Sequence, residues 1–307
     1  MGESGKQQGV AEVAAERGQL INVAYRLLGS LAEAEDAVQE AYARWYALPP
    51  GRQRQIVSPG AWLTTVAGRV CLDLLGSARA RRERYVGAWL PEPVPDRTQW
   101  AARPGATSGE AADPADQIVL DESVDMALLV VLETMTPAER VAFVLHDVFR
   151  YPFAEIAPVL GRTPAACRQL ASSARARVRA APAVGAASEP DQAEAVRRVK
   201  EAWQSQDITA LVELLAPDAV MTADGGGLSS AVLRPVEGGR RIAEYMLHMA
   251  SRATGLTLVE RSVNGRPGLV AEIGGVPLTV AAFAVAEGRV TRIWVVRNPE
   301  KLRAWAG

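Results

Sequence analysis

The chain has 307 residues, 49% of them hydrophobic and 22% charged, with a formal net charge of -1 at pH 7. That length favours two or three domains over one, the apolar content suffices for packed cores, and the near-neutral charge excludes a uniformly basic nucleic-acid binder. Any such binding must come from local patches, and two exist, Arg69 to Arg84 and Arg162 to Arg179.

The first eighteen residues, MGESGKQQGVAEVAAERG, lack the apolar core of a secretion signal, and the longest apolar patch, Met126 to Leu132, is too short to cross a bilayer. A cytoplasmic location without a membrane partner is therefore expected. Cys71 and Cys167 are the two cysteines, and neither has the CxxC spacing or neighbouring histidine of a metal site. Buried structural thiols are expected, with no metal and no cofactor.

Residues from about Glu12 to Leu28 read as a helix stopped at Gly29, and Ser30 caps a second one, LAEAEDAVQEAYARWYAL. In it Leu31, Ala34, Val38, Ala41 and Trp45 face inward, while Glu33, Asp36, Glu40 and Arg44 line up outward beside Gln39. By itself this acidic stripe is a solvated face that suits the helix dipole. Pro49, Pro50 and Gly51 interrupt the chain, and Ser58 with Pro59 opens another helix whose expected inward residues are Trp62, Leu63, Val66, Val70, Cys71 and Leu74. Beyond Gly76, Arg79, Arg81, Arg82 and Arg84 crowd beside Tyr85. Such a cluster suits phosphate contacts and stacking on an unpaired base, and equally a merely solvated helix end.

From Val86 to about Pro114 the composition turns to Pro, Gly, Ala and Asp, the mark of a linker, yet it contains WLPEP at Trp89 to Pro93. A Trp and Leu before prolines make a stiff, sticky segment expected to dock on something. A helix follows from roughly Asp116 to Thr134. The next, TPAERVAFVLHDVF, starts with Thr136, Pro137 and Glu139 in near capping-box order.

Tyr151 to Arg179 then reads as a helix-turn-helix. Phe153, Ile156, Ala157 and Leu160 share a helix face, Gly161 ends that helix, and Thr163 with Pro164 starts another. Its expected seam is Cys167, Leu170 and Ala174. Arg162, Arg168, Gln169, Ser172, Arg175 and Arg179 populate the outer side, and no acidic residue interrupts them. A short support helix, a three-residue turn and a longer basic helix is the geometry that lays the second helix in a major groove; an ordinary helical hairpin with a solvated face is the plainer reading.

After a second linker, Ala180 to about Glu189, the pattern changes. Helices at about Asp191 to Ser205, Ile208 to Leu215 and Gly239 to Arg252 accompany β-rich runs punctuated by Asn264-Gly265, Gly274-Gly275 and Glu287-Gly288. An α+β domain with a curved antiparallel meander is expected.

Six stretches in this order, AEDAVQE at Ala34 to Glu40, AWLTTVAGRVCLDLL at Ala61 to Leu75, WLPEP, the helix-turn-helix, ADGGG at Ala223 to Gly227 and NPEKL at Asn298 to Leu302, carry a resemblance covering nearly the whole chain. It resembles the bacterial extracytoplasmic-function sigma factors, in the subgroup with a C-terminal SnoaL-like domain of the nuclear-transport-factor (NTF2-like) fold. The resemblance implies a multidomain chain: sigma region two at 1–86, a linker with WLPEP at 87–115, sigma region four at 116–181, a linker at 182–189 and an α+β SnoaL-like cone at 190–307.

It also implies site residues. Asp36, Gln39 and Glu40 match positions that grip a coiled coil of the largest subunits of core RNA polymerase. Trp62 to Arg84 matches the region that melts and reads the minus ten element of promoter DNA, with Arg69 and Asp73 on the basic helix and Ser77 to Arg84, including Arg79, Arg81, Arg82 and Arg84, on a loop and following helix. Pro164 to Arg179 matches the helix that reads the minus thirty-five element. There Arg168 and Gln169 face base edges, and Arg162, Thr163, Ser172 and Arg175 hold phosphate. Trp89, Leu90, Pro91, Asp224, Gly225, Gly226, Asn298, Pro299 and Leu302 become contact points through which the SnoaL-like domain acts in cis on the sigma domains. Four departures stand out: Ser173 where the family usually has arginine, Cys167 for valine, Leu228 for a lysine after the glycines, and Glu300 for aspartate.

The expected function is that of an alternative sigma factor, not an enzyme. The alternative is a helix-turn-helix regulator fused to a ligand-binding or catalytic SnoaL-like domain. Catalysis would require Asp224 and His248 to face each other within a pocket, whose ligand, if one binds, the sequence does not name.

Overall fold

The computed structural model describes residues 16–82, 85–95, 125–181, 187–252 and 254–306; for 78–82 it describes the helical backbone alone. These residues form two units, one from 16–81 and 131–180, the other from 82, 85–95, 125–130 and the residues from 181 onward. The division falls within two helices, before the last residue of Pro59–Arg82 and in the middle of Met126–Glu133.

The first unit is helical. Helix α1 (Arg17–Leu28) buries Leu20, Val23, Ala24, Leu27 and Leu28 and ends at Gly29 in the left-handed conformation. Ser30 then caps α2 (Leu31–Tyr46) by accepting from the Glu33 amide, and Ala34, Ala37, Val38, Ala41 and Trp45 are its buried face. After the short α3 (Pro50–Gln53), α4 (Pro59–Arg82) runs unbroken for 24 residues. The expected loop after Gly76 is absent, because Gly76 is exposed with open space around it and Ser77 bonds back to the Leu74 carbonyl at 2.9 Å. The inward stripe of α4 also differs from expectation. Leu63, Ala67, Val70, Cys71 and Leu75 are buried, whereas Trp62, Val66 and Leu74 are half-buried at its edge, Trp62 packing against Trp45 at 5.3 Å between ring centroids.

Helix α5 (Met126–Glu133) precedes α6 (Pro137–Phe143), whose capping box joins Thr136 and Glu139 as expected. The chain then widens into one π-helical turn, Val144–Val148, with Phe149 N bonded to the Val144 carbonyl. Helices α7 (Phe153–Leu160) and α8 (Pro164–Ala180) complete the helix-turn-helix, with Gly161 in the left-handed region at the turn. The buried seam of α8 is Cys167, Ala171 and Ala174; Leu170 is only half-buried, since small residues at 171 and 174 let the helix approach α6 closely.

The second unit is α+β. Helices α9 (Glu189–Gln204), α10 (Ile208–Leu214) and α11 (Gly239–Arg252) pack with a six-stranded sheet of order β2-β1-β6-β5-β4-β3, comprising β1 (Leu215–Asp224), β2 (Val236–Glu237), β3 (Leu256–Val263), β4 (Arg266–Ile273), β5 (Val276–Ala286) and β6 (Arg289–Val296). Strands β3 to β6 form the expected meander. The β1–β6 pair is parallel, a departure from an all-antiparallel sheet, because the chain crosses over through α11 between β1 and the meander.

Both sheet faces are covered. On one, Met221, Leu269, Phe283 and Ile293 meet the helices. On the other, Val270, Val280, Trp294 and Val296 are covered by Leu90, by Met126 and Ala127, and by Leu302 and Trp305 from the chain end. Residues recruited from far apart in sequence therefore seal this second face.

Candidate nucleic-acid interface and strap junction

In the helical unit, the candidate polymerase-binding residues Asp36, Gln39 and Glu40 are exposed along one flank of α2, with Glu40 paired to Arg44 at 2.8 Å. Of the candidate minus ten residues, Arg79, Arg81 and Arg82 lie on the α4 backbone and Arg84 lies outside the described residues. Asp73 is exposed. Arg69 is also exposed yet engaged: its Nε and Nη2 donate to the Pro158 carbonyl at 3.2 and 2.9 Å. Pro158 sits in the last turn of α7, where Arg162 N bonds the Ala157 carbonyl instead. A cation thus satisfies a carbonyl at the negative end of a helix.

Neighbouring contacts join the same two segments. Tyr151 Oη lies 3.2 Å from Thr64 Oγ1 and accepts from Gln19 Nε2 at 3.1 Å, and burial pushes its phenol above the ordinary range. Gly68 makes this approach possible, since a Cβ there would meet Val159 Cγ1 at 2.8 Å. Arg26 lies 5.1 Å over the Phe149 ring, and Arg140 donates to the Leu27 carbonyl at 2.8 Å and to Glu133 at 2.7 Å. Burial lowers the Arg140 guanidinium to about 10.

On α8, Arg162, Thr163, Arg168, Gln169 and Ser172 are exposed. Thr163 Oγ1 caps the helix by accepting from Ala166 N at 3.3 Å, and the Arg168 guanidinium lies 5.4 Å over the Phe153 ring. Arg175 differs from the others: its Nε donates to Asp147 Oδ1 at 2.6 Å, tying it to the π-helical turn. Ser173, the departure from arginine, donates to Glu139 Oε1 at 2.6 Å. Both thiols are buried, and burial pushes the Cys71 thiol up to about 12 and raises that of Cys167.

In the α+β unit, residues 85–95 form an extended strap against the sheet, and Asp224 is the hub that holds it. Asp224 has no exposed surface. Its Oδ1 accepts from Tyr85 Oη at 2.6 Å and from Gly226 N at 3.0 Å; its Oδ2 accepts from Leu90 N at 2.9 Å and from Lys301 Nζ at 2.7 Å. Four donors, one cationic, compensate the burial of the carboxylate. Burial raises the Tyr85 phenol well above its ordinary value, and its hydrogen bond to Asp224 adds to the rise.

Lys301 also donates to the Leu90 carbonyl and lies 4.0 Å over the Trp89 ring and 5.1 Å over that of Tyr85. Asn298 Nδ2 donates to Tyr85 Oη at 2.8 Å, while its Oδ1 accepts from Glu300 N at 3.0 Å. Further along, Trp305 Nε1 donates to the Pro93 carbonyl at 2.8 Å, and Val94 exchanges hydrogen bonds with Asn264. Gly226 has φ +62° and faces this cluster, so a Cβ there would overlap the Asn298 amide and come within 3.1 Å of Tyr85 Oη. Gly225 is equally enclosed by the Ser229 carbonyl. Pro91 and Leu302 are buried, Trp89 is half-buried and Pro299 is exposed.

The structure thus brings Trp89, Leu90, Asp224, Gly226, Asn298 and Leu302 to one junction. Sequence reasoning missed Tyr85, Lys301, Asn264 and Trp305 within it. Lys301 lies inside NPEKL and was the legible one, as a cation beside a motif that faces an aspartate. Asp224 and His248 do not meet: Asp224 is enclosed by the strap, and His248 is exposed beside Arg252 at 3.2 Å. Among the described residues, no group of three or more His, Cys, Asp or Glu is arranged to hold a metal ion, and no helix is long and apolar enough to cross a membrane.

Known families match both helical segments. The Sigma-70 region 2 family matches residues 13–81, and the Sigma-70, region 4 family matches residues 125–178. The chain is 41% identical over 305 residues to the ECF RNA polymerase sigma factor SigJ of Mycobacterium tuberculosis (strain H37Rv), covering 95% of this chain and 92% of that protein. It is 36% identical over 292 residues to the probable ECF RNA polymerase sigma factor SigI of M. tuberculosis (strain CDC 1551), covering 94% and 92%. The crystal structure of M. tuberculosis SigJ matches with a TM-score of 0.73 at 37% identity, covering 96% of this chain and 98% of that one. With its helical sigma regions and its α+β SnoaL-like domain, the chain belongs to the ECF RNA polymerase sigma factors.

Proposed function

We propose that this sigma factor binds core RNA polymerase through Asp36, Gln39 and Glu40, reads the minus ten element with the α4 arginines and the minus thirty-five element with α8, and is regulated in cis by its SnoaL-like domain. Family membership supports polymerase and promoter DNA as partners, and with them action in the cytoplasm. Region two is taken as 1–86, region four as 116–181 and the SnoaL-like domain as 190–307.

The observation that carries the regulatory reading is the strap junction. Residues 85–95 leave region two and are held by Asp224, Asn298 and Lys301 of the SnoaL-like domain. A domain that grips the chain between the two sigma regions governs how they can separate, and its tether keeps even weak contacts at high effective concentration.

Separation matters because Arg69 and Thr64 of region two contact Pro158 and Tyr151 of region four within the helical unit. The two promoter elements lie about 25 base pairs apart, roughly 80 Å along straight duplex at 3.4 Å per base pair. Segments in hydrogen-bonding contact cannot read both, so promoter engagement requires this packing to open, releasing Arg69 to DNA. No catalytic role is assigned to the SnoaL-like domain, since the Asp224 oxygens are committed to the strap.

Transcription in vitro from a cognate promoter, with core polymerase and full-length chain, tests both parts. Asp36→Ala is expected to reduce output, and Asp224→Ala to change it without changing polymerase binding. Absence of transcription with wild-type chain overturns the sigma function; identical output from wild type and Asp224→Ala overturns the cis regulation.

A further inference from the structure

Between α11 and the helix-facing side of the sheet lies a cavity of about 320 Å³, within the range of roughly 300–1,000 Å³ typical of small-molecule sites. Its walls are apolar, built from Met221, Met246, Met249, Leu258, Leu269 and Phe283 among others. Methionines at three of these positions make the wall adaptable to ligand shape. Among the described residues, the charged side chains that line it are both arginines, Arg252 and Arg297, with no aspartate or glutamate.

Arg297 is the informative one. It follows β6, and one terminal nitrogen donates to the Ser230 carbonyl. Its Nε is buried and has no hydrogen-bond partner among the described residues. A buried guanidinium N–H without an acceptor carries an uncompensated desolvation cost, and the group best matched to a guanidinium edge is a carboxylate. Arg252, at the end of α11, adds a second positive charge to the same lining, with His248 Nε2 3.2 Å from its guanidinium.

We propose that this cavity binds an apolar carboxylate, its hydrophobic body among the methionine and leucine side chains and its carboxylate on Arg297. The site lies directly behind the strap junction. On β1, Ala223 lines the cavity while Asp224 faces the strap, and after β6 Arg297 lines it while Asn298 bonds Tyr85, because successive residues of an extended chain face opposite sides. The inference is independent of the regulatory reading, since it concerns binding alone.

Calorimetric titration of the full-length chain with two matched pairs, decanoate against decan-1-ol and 2-naphthoate against 2-naphthol, tests it and distinguishes a chain from a ring as the body. At least one acid is expected to bind with 1:1 stoichiometry, about tenfold or more tighter than its alcohol. Arg297→Met is expected to erase that preference and Arg297→Lys to retain part of it. Ala281→Leu, which fills part of the cavity from another lining position, is expected to weaken acid and alcohol alike. The proposal is overturned if neither acid binds at about 1 mM, if acid and alcohol bind equally, or if a folded Ala281→Leu variant binds like wild type.

Discussion

Lys301 Nζ lies 2.7 Å from Asp224 Oδ2, and the carboxylate has no exposed surface. Removing one member of a buried pair strands the other. In either orientation the Asp224→Asn amide turns its N–H₂ toward two donors, Leu90 N and Lys301 Nζ on one side or Tyr85 Oη and Gly226 N on the other. The expected loss is about 3–5 kcal/mol from the α+β unit. Asp224→Asn/Lys301→Met is expected to cost less than the sum of the single changes, by about 1 kcal/mol or more. Urea unfolding followed by tryptophan fluorescence measures this cycle; strict additivity would show that the pair is not coupled.

Gly68 and Val159 set how closely α4 approaches α7. Gly68→Val overpacks this contact by about 1–3 kcal/mol, and if promoter reading requires opening, the variant shifts the population toward the open form. Spin labels at Gln55→Cys and Ala165→Cys, both exposed positions, are expected to show a broader and longer distance distribution in Gly68→Val than in wild type. An unchanged distribution would mean that this packing does not limit opening.

Arg168 and Gln169 project from the same exposed stretch of α8 as Arg162, but base-edge and phosphate contacts respond differently to substitution. Gln169→Ala is expected to relax discrimination at one position of the minus thirty-five element by about 1–3 kcal/mol. Arg162→Ala is expected to weaken holoenzyme binding evenly across sequences and reduce the salt slope by about 1. Binding of holoenzyme to single-substitution promoters at several salt concentrations separates the two, and a uniform loss in Gln169→Ala would move that residue to the phosphate class.

Glu139 links α6 to α8 through Ser173 and Arg177 while accepting from Thr136. Burial alone would raise its carboxyl, but the Ser173 and Thr136 hydrogen bonds and the Arg177 charge outweigh it and hold the group below its ordinary 4.5. A carboxyl whose folded value is lowered stabilises the fold above its unfolded value. That contribution disappears as pH falls through the folded value. Glu139→Gln is therefore expected to be less stable than wild type at pH 7 by about 1–2 kcal/mol, with the gap narrowing below about pH 4.5. Urea midpoints across this range report it. A gap that is constant with pH would assign the effect to packing.

Ser173 illustrates how a sequence comparison and a structure divide the information. The resemblance marks it only as a departure from arginine; in place, its hydroxyl holds Glu139 and so helps fix α8 on α6. Arg69 and Arg175 show the same division. Their charge made them DNA-binding candidates, while their carbonyl and carboxylate partners, Pro158 and Asp147, belong to segments that no local pattern connects to them.

The helix ends at Gly29 and Gly161, the helix start at Ser30, the helix-turn-helix, the capping box at Thr136 and the three hairpins of the meander were legible in the chain because each depends on residues within a few positions of one another: a cap, a left-handed glycine, an alternating run. The order of motifs was sufficient for the family and for the multidomain class. Tertiary structure alone decided the parallel β1–β6 pair, the unbroken course of α4, the packing of Tyr151 on Thr64 across 87 positions, and the meeting of Tyr85 with Asp224 across 139. Those contacts follow from which buried donors find acceptors once the elements have packed, and a buried carboxylate such as Asp224 draws its partners from wherever the fold delivers them.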